Sequence, residues 1–74
     1  MEFRVLRYFL AIAREGGYTK AAQSLNVTQP TLSRQIKDLE AELGQPLFVR
    51  SAHAVTLTAA GYVLRKRAEE ILDM

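Results

Sequence analysis

No cysteine occurs among the 74 residues. This excludes disulfides and thiolate metal sites and fits a reducing cytoplasm. There is one histidine, His53, and with no second histidine or cysteine to join it no metal-binding spacing arises. No uninterrupted apolar run approaches the length of a membrane span. The first residues lack the basic segment and long apolar core of a secretory signal, and Met1 followed at once by a helical pattern reads as a true start. No nucleophile stands beside a base, and no glycine-rich loop could cradle a phosphate. Asp38, Glu40 and Glu42 cluster without histidine or metal spacing around them, so they read as the solvated side of a helix. No catalytic residue, cofactor or metal is expected, and no membrane partner. Internal repeats and low-complexity segments are absent as well.

What is present describes one small domain with a modest core. The apolar share of 49% is that of a globular protein. A net charge of +2 is compatible with DNA but too weak to argue for it, so the placement of the charges matters more than their sum.

The most informative stretch is Thr28 to Leu43. At about 100° per residue, Leu32, Ile36, Leu39 and Leu43 fall on one narrow stripe, the face expected to be buried. Pro30, Ser33, Arg34 and Lys37 lie opposite, with Gln29 at the tip. Thr28 suits an N-cap, Pro30 fits the first turn where its missing N–H costs nothing, and Gly44 followed by Pro46 ends the helix. Amides, hydroxyls and cations on one exposed face match base edges and the phosphates beside them. The plainer alternative is a surface helix whose polar face only meets water.

Around it, residues 2–14 read as a first helix with Phe3, Leu6, Phe9 or Leu10, and Ala13 on its apolar stripe; Arg4, Arg7 and Arg14 lie off it, solvated or near phosphate. Gly16-Gly17 breaks that helix. Thr19 is the expected cap of a short helix, Lys20 to Leu25, whose small Ala21 and Ala22 permit a close crossing. Asn26 suits a left-handed turn, and Val27 would plug the corner beneath it. Two short helices joined by a tight turn, the second capped and polar-faced, describe a helix-turn-helix, and an α-helix fits the major groove.

Two β-prone runs follow, Leu47-Phe48-Val49 and Val55-Thr56-Leu57, joined by a tip of residues 50–54. Such a hairpin is a wing, able to lay a cation on a phosphate or in the minor groove; Arg50 and His53 are its candidates, His53 being alternatively a solvated loop residue. Thr58 caps a last helix, Ala59 to about Asp73, with Ala60, Leu64, Ala68, Ile71 and Leu72 on its stripe. A stripe left over on a terminal helix points to self-association, so Leu64, Ala68, Ile71 and Leu72 are candidate dimer contacts; the alternative is that the helix folds back to finish the core. Arg65-Lys66-Arg67 and Glu69-Glu70 read as a solvated, salt-laced face.

The residues Ala21-Ala22 through Leu25, Val27-Thr28-Gln29-Pro30, Leu32-Ser33-Arg34-Gln35-Ile36, Leu39-Glu40, Leu43-Gly44, Pro46-Leu47-Phe48, Leu57-Thr58 and Ala60-Gly61 resemble the N-terminal DNA-binding domain of LysR-type transcriptional regulators. The likeness runs without gaps from Phe3 to about Leu72. It implies a mainly α fold: a winged helix-turn-helix over residues 1–58, with a three-helix core and a two-stranded β wing, then a linker and dimerisation helix over 59–74. It also implies a bacterial, cytoplasmic regulator that binds an interrupted palindrome of double-stranded DNA as a homodimer or tetramer. A small-molecule effector would bind a further C-terminal domain that this chain lacks. Carried onto this sequence, the likeness sets Gln29, Pro30 and Thr31 against base edges, Ser33 on a phosphate, Arg34 on a base or phosphate, and Lys37 on the backbone. At His53 and Ala54 the chain departs from the family's common Arg and Gly, which weakens the expectation of minor-groove insertion. A winged helix that docks a protein partner through the same face is the competing reading, and such a face would more often expose aromatic anchors.

Overall fold

The computed structural model of the chain describes residues 2–52 and 54–73. Four helices and one hairpin follow in order: α1 (Phe3–Glu15), α2 (Tyr18–Leu25), α3 (Gln29–Leu43), β1 (Phe48–Arg50), β2 (Val55–Leu57) and α4 (Ala59–Leu72). The expected winged helix-turn-helix is therefore the fold.

Local chemistry sets the helix ends. α1 stops at Gly16, whose φ of 76° is left-handed and whose N–H reaches the Ile12 carbonyl at 2.9 Å. Asn26 closes α2 at φ 60°, and the next N–H, from Val27, returns to the Ala22 carbonyl at 3.0 Å. Thr28 Oγ1 accepts the Thr31 N–H at the head of α3, and Gly44 ends that helix at φ 73°. At the head of α4, Thr58 Oγ1 accepts the Gly61 N–H at 3.0 Å and donates to the Pro46 carbonyl at 2.8 Å. One hydroxyl thus fixes both the helix start and the approach to the hairpin.

Helices α1, α2 and α3 pack on one another, and α4 lies back across α1. Phe9, Ile12, Leu32, Ile36 and Leu47 are fully enclosed. The Phe9 and Phe48 rings meet at 5.2 Å, carrying the hairpin into the same core. β1 and β2 pair antiparallel, with Phe48 opposite Leu57 and Arg50 opposite Val55. The Val55 N–H donates to the Gly16 carbonyl, so the second strand is tied to the end of α1.

Several boundaries and faces differ from the sequence reading. α2 begins at Tyr18, not after a Thr19 cap, because the extended Gly17 serves as N-cap and helical Tyr18 gains burial against Phe48. The first strand starts one residue late: Leu47 turns into the core and gives its N–H to Glu40 Oε2 at 2.7 Å, so only its carbonyl, which accepts the Thr58 N–H at 3.0 Å, reaches across the hairpin. Glu40 is thereby a half-buried brace and not part of a solvated acidic side. Phe3 is 65% exposed, since it sits in the first turn of α1 where no other element covers it. Leu43, at the last turn of α3, is also exposed.

The last helix folds back on the core, as the sequence's alternative reading allowed. Ala68 is fully buried in the chain's own core, and Leu64 and Leu72 pack against that core. Three of the four candidate dimer contacts are therefore engaged within one chain, because α4 folds back on α1. Ile71 alone of that group is mostly exposed; Tyr62 and Val63, in the first turns of α4, are exposed as well.

Gly61 sits where this closure is tightest. A Cβ there would collide with the Leu47 carbonyl oxygen and come within 2.9 Å of Leu57 Cδ2. Gly61→Ala should cost about 1–3 kcal/mol by overpacking, more than the roughly 1 kcal/mol that alanine gains in a helix. Thermal unfolding should show a clearly lowered midpoint; an unchanged or raised one would contradict this packing.

Candidate nucleic-acid interface

Burial of Leu32, Ile36 and Leu39 turns the other side of α3 to solvent. Pro30, Arg34 and Lys37 are exposed, while Gln29, Thr31 and Ser33 are half-buried. The Thr28 hydroxyl donates to Thr31 Oγ1 at 2.8 Å, so the first turn is braced by side chains as well as by its cap. The ion pairs among the described residues are Arg4–Glu2, Arg14–Glu15 and Arg67–Glu70. Arg34 and Lys37 belong to none of them. The exposed face of α3 therefore presents two cations without a carboxylate partner, beside an amide and two hydroxyls.

Arg50 does not lie at the hairpin tip. It is the last residue of β1, and the tip is a tight turn in which Ser51 and Ala54 exchange backbone and hydroxyl hydrogen bonds. Side chains two apart on a strand share a face, so Arg50 follows Phe48 toward Tyr18. Its guanidinium lies 3.8 Å from the centroid of the Tyr18 ring, and its Nη2 donates to Ser33 Oγ at 3.3 Å. His53, the other wing candidate, lies outside the described residues.

A cleft opens between the starts of α2 and α3 and the hairpin, lined by Gly17, Tyr18, Thr19, Lys20, Gln29 and Arg50 among others. Lys20 and Tyr18 were not singled out as site residues from the sequence. Tyr18 could have been suspected: it directly follows the Gly-Gly break, and the Phe48/Arg50 spacing calls for a ring beneath a strand face. No group of three or more metal-ligating side chains occurs among the described residues.

Burial pushes the Tyr18 phenol above its ordinary value near 10; the adjacent Arg50 guanidinium opposes this, and Glu40 adds to it. Because the folded value is the higher one, the neutral phenol favours the folded state. Its contribution is complete below the unfolded value and is lost as pH rises through the folded one. Urea denaturation between about pH 9 and pH 11 should show the parent losing more stability than Tyr18→Phe. Equal losses would contradict the burial of this phenol.

Comparison with known proteins places this geometry. The family description "Bacterial regulatory helix-turn-helix protein, lysR family" matches residues 3–62. The HTH-type transcriptional regulator BudR of Klebsiella aerogenes is 53% identical over 74 residues, covering all of this chain and 52% of BudR. The chain thus spans about half the length of that relative. Among solved structures, a CbnR DNA-binding domain bound to DNA superposes with a TM-score of 0.94 at 46% identity, covering 99% of this chain and 84% of that one. A BenM DNA-binding domain on catB site 1 DNA gives 0.95 at 45% identity, covering 99% and 81%.

Proposed function

The chain belongs to the lysR family of bacterial helix-turn-helix regulatory proteins, and from that premise we propose that it binds double-stranded DNA sequence-specifically to control transcription. The observation that carries this is the pair of unpartnered cations, Arg34 and Lys37, on the side of α3 opposite the buried Leu32, Ile36 and Leu39. In this reading α3 enters the major groove with its first turn foremost, and α2 crosses the backbone to steady it. Gln29, Pro30 and Thr31 face base edges: the Gln29 amide suits adenine, and Pro30 or the Thr31 methyl suits the thymine methyl. Arg34 takes a guanine edge or a phosphate. Lys37 holds the backbone. Ser33 already accepts a hydrogen bond from Arg50, which leaves its own hydroxyl hydrogen for a phosphate. The relatives are transcription regulators, and no reaction is assigned to this domain.

A homodimer completes the proposal, since a two-fold dimer reads two half-sites of an interrupted palindrome. Its contact is centred on Val63 on the outward face of α4, with Tyr62 and Ile71 on opposite flanks of it, and all three are more than half exposed. Residues 65–67 are basic and residues 69 and 70 acidic, so two copies of α4 running antiparallel set opposite charges against each other. A small-molecule effector, where one acts, binds outside these residues. No helix among the described residues is long and apolar enough to cross a membrane, and the cytoplasm, where bacterial DNA lies, is the proposed place of work.

Fluorescence anisotropy on a site selected from random DNA tests the interface. Arg34→Ala should weaken that site by about 1–3 kcal/mol and relax its sequence preference. Lys37→Ala should weaken selected and random DNA alike and lower the salt slope by about one. Both variants binding like the parent would refute the assignment. Sedimentation of concentrated protein tests the dimer: Val63→Glu or Ile71→Glu should shift it toward monomer while leaving the fold intact. A parent that stays monomeric, or variants that associate as it does, would contradict the outward face.

A further inference from the structure

We propose that Arg50 is a positioning residue, which locks the hairpin to the recognition helix through Tyr18 and Ser33 and does not itself contact a phosphate. This rests on the DNA-binding reading above and adds a residue role to it. Three elements converge on one side chain: β1 supplies Arg50, the first residue of α2 supplies the ring beneath it, and the second turn of α3 supplies the Ser33 oxygen. The ring is itself held. Tyr18 is buried and meets Phe48 edge-on at 6.0 Å and 71°, and Phe48 rests on Phe9. The planar guanidinium therefore lies on a fixed platform, an arrangement suited to arginine and poorly to lysine, whose compact ammonium cannot stack and fork at once.

The hairpin is also moored by Leu47 N–H on the Glu40 carboxylate, by Val55 N–H on the Gly16 carbonyl, and by the Phe48 ring and the Thr58 hydroxyl at its base. All of these hold its base or its second strand. Arg50 joins the end of the first strand to α3 at Ser33, directly before Arg34 in the chain. A hairpin free to swing there would leave its tip at a variable distance from a duplex seated on α3. Specific binding, which needs both elements in register, suffers from that freedom, while loose electrostatic association with any duplex does not.

The test uses Arg50→Lys, Arg50→Met, Tyr18→Phe, Tyr18→Leu and the Tyr18→Leu/Arg50→Met pair, each titrated with the selected site and with random DNA over a salt series. Arg50→Lys, Arg50→Met and Tyr18→Leu should each lose about 3–30-fold on the selected site, the range a partly desolvated cation–π contact carries. Their affinity for random DNA and their salt slopes should match the parent. Tyr18→Phe, which keeps the ring, should bind like the parent, and the double variant should be no worse than either single. A phosphate contact gives the opposite pattern: Arg50→Lys close to the parent, and Arg50→Met with a salt slope lower by about one. Additive losses in the double variant also overturn the proposal, and a general loss of folding would lower both kinds of DNA binding together. In the free protein, the Arg50 Nε–H resonance should carry a ring-current shift that Tyr18→Leu abolishes and Tyr18→Phe keeps. That readout needs no DNA: its absence overturns the proposal, whereas a parent without site preference, with the shift present, overturns only the DNA reading.

Discussion

Leu32, Ile36 and Leu39 have to be buried, and the rest of the domain is arranged to bury them. Each such side chain contributes about 1.5–3 kcal/mol when removed from water, against a total stability of roughly 5–15 kcal/mol for a domain. A chain this short cannot leave that stripe exposed and stay folded. Phe9 and Ile12 of α1, with Leu47 and Phe48 at the start of the hairpin, supply the surface that meets it. Once the stripe is fixed, the helical period leaves no choice about the opposite face. Arg34 and Lys37 point outward because the leucines and isoleucine point inward.

The remaining elements keep that helix in place. Thr28 and Gly44 set its length, and the left-handed Asn26 sets the angle at which α2 precedes it. Glu40 and Ser33, both on α3, each take a hydrogen bond from the hairpin, one at its base and one near its far end. Recognition helix and wing therefore behave as one body, although only two short strands join them. A net charge of +2 says little, but two cations left unpaired on one exposed face say a good deal about the partner.

Much of this was legible in the residues. Thr28, Asn26, Gly44 and Thr58 announce helix ends through chemistry that acts within a few positions, and each sits where that chemistry requires. The buried stripe of α3 was readable from its period, except at Leu43, where the helix runs past its cover. What the sequence left open depends on contacts distant in sequence. An apolar stripe on α4 looks the same whether it meets its own α1 or a second copy, and Ala68, Leu64 and Leu72 meet the chain's own core. Arg50 reads as a free cation until the strand places it over Tyr18, and Glu40 as a solvated acid until Leu47 turns inward and needs an acceptor.

The central claim is that the outward face of α3 meets DNA. Backbone amide chemical shifts followed during titration with the selected duplex test it most directly. The largest changes should fall on Gln29 to Lys37 and on the hairpin, while the amides of Leu64 to Leu72 stay near their free positions. Changes centred on α4, with the first turns of α3 unmoved, would contradict it.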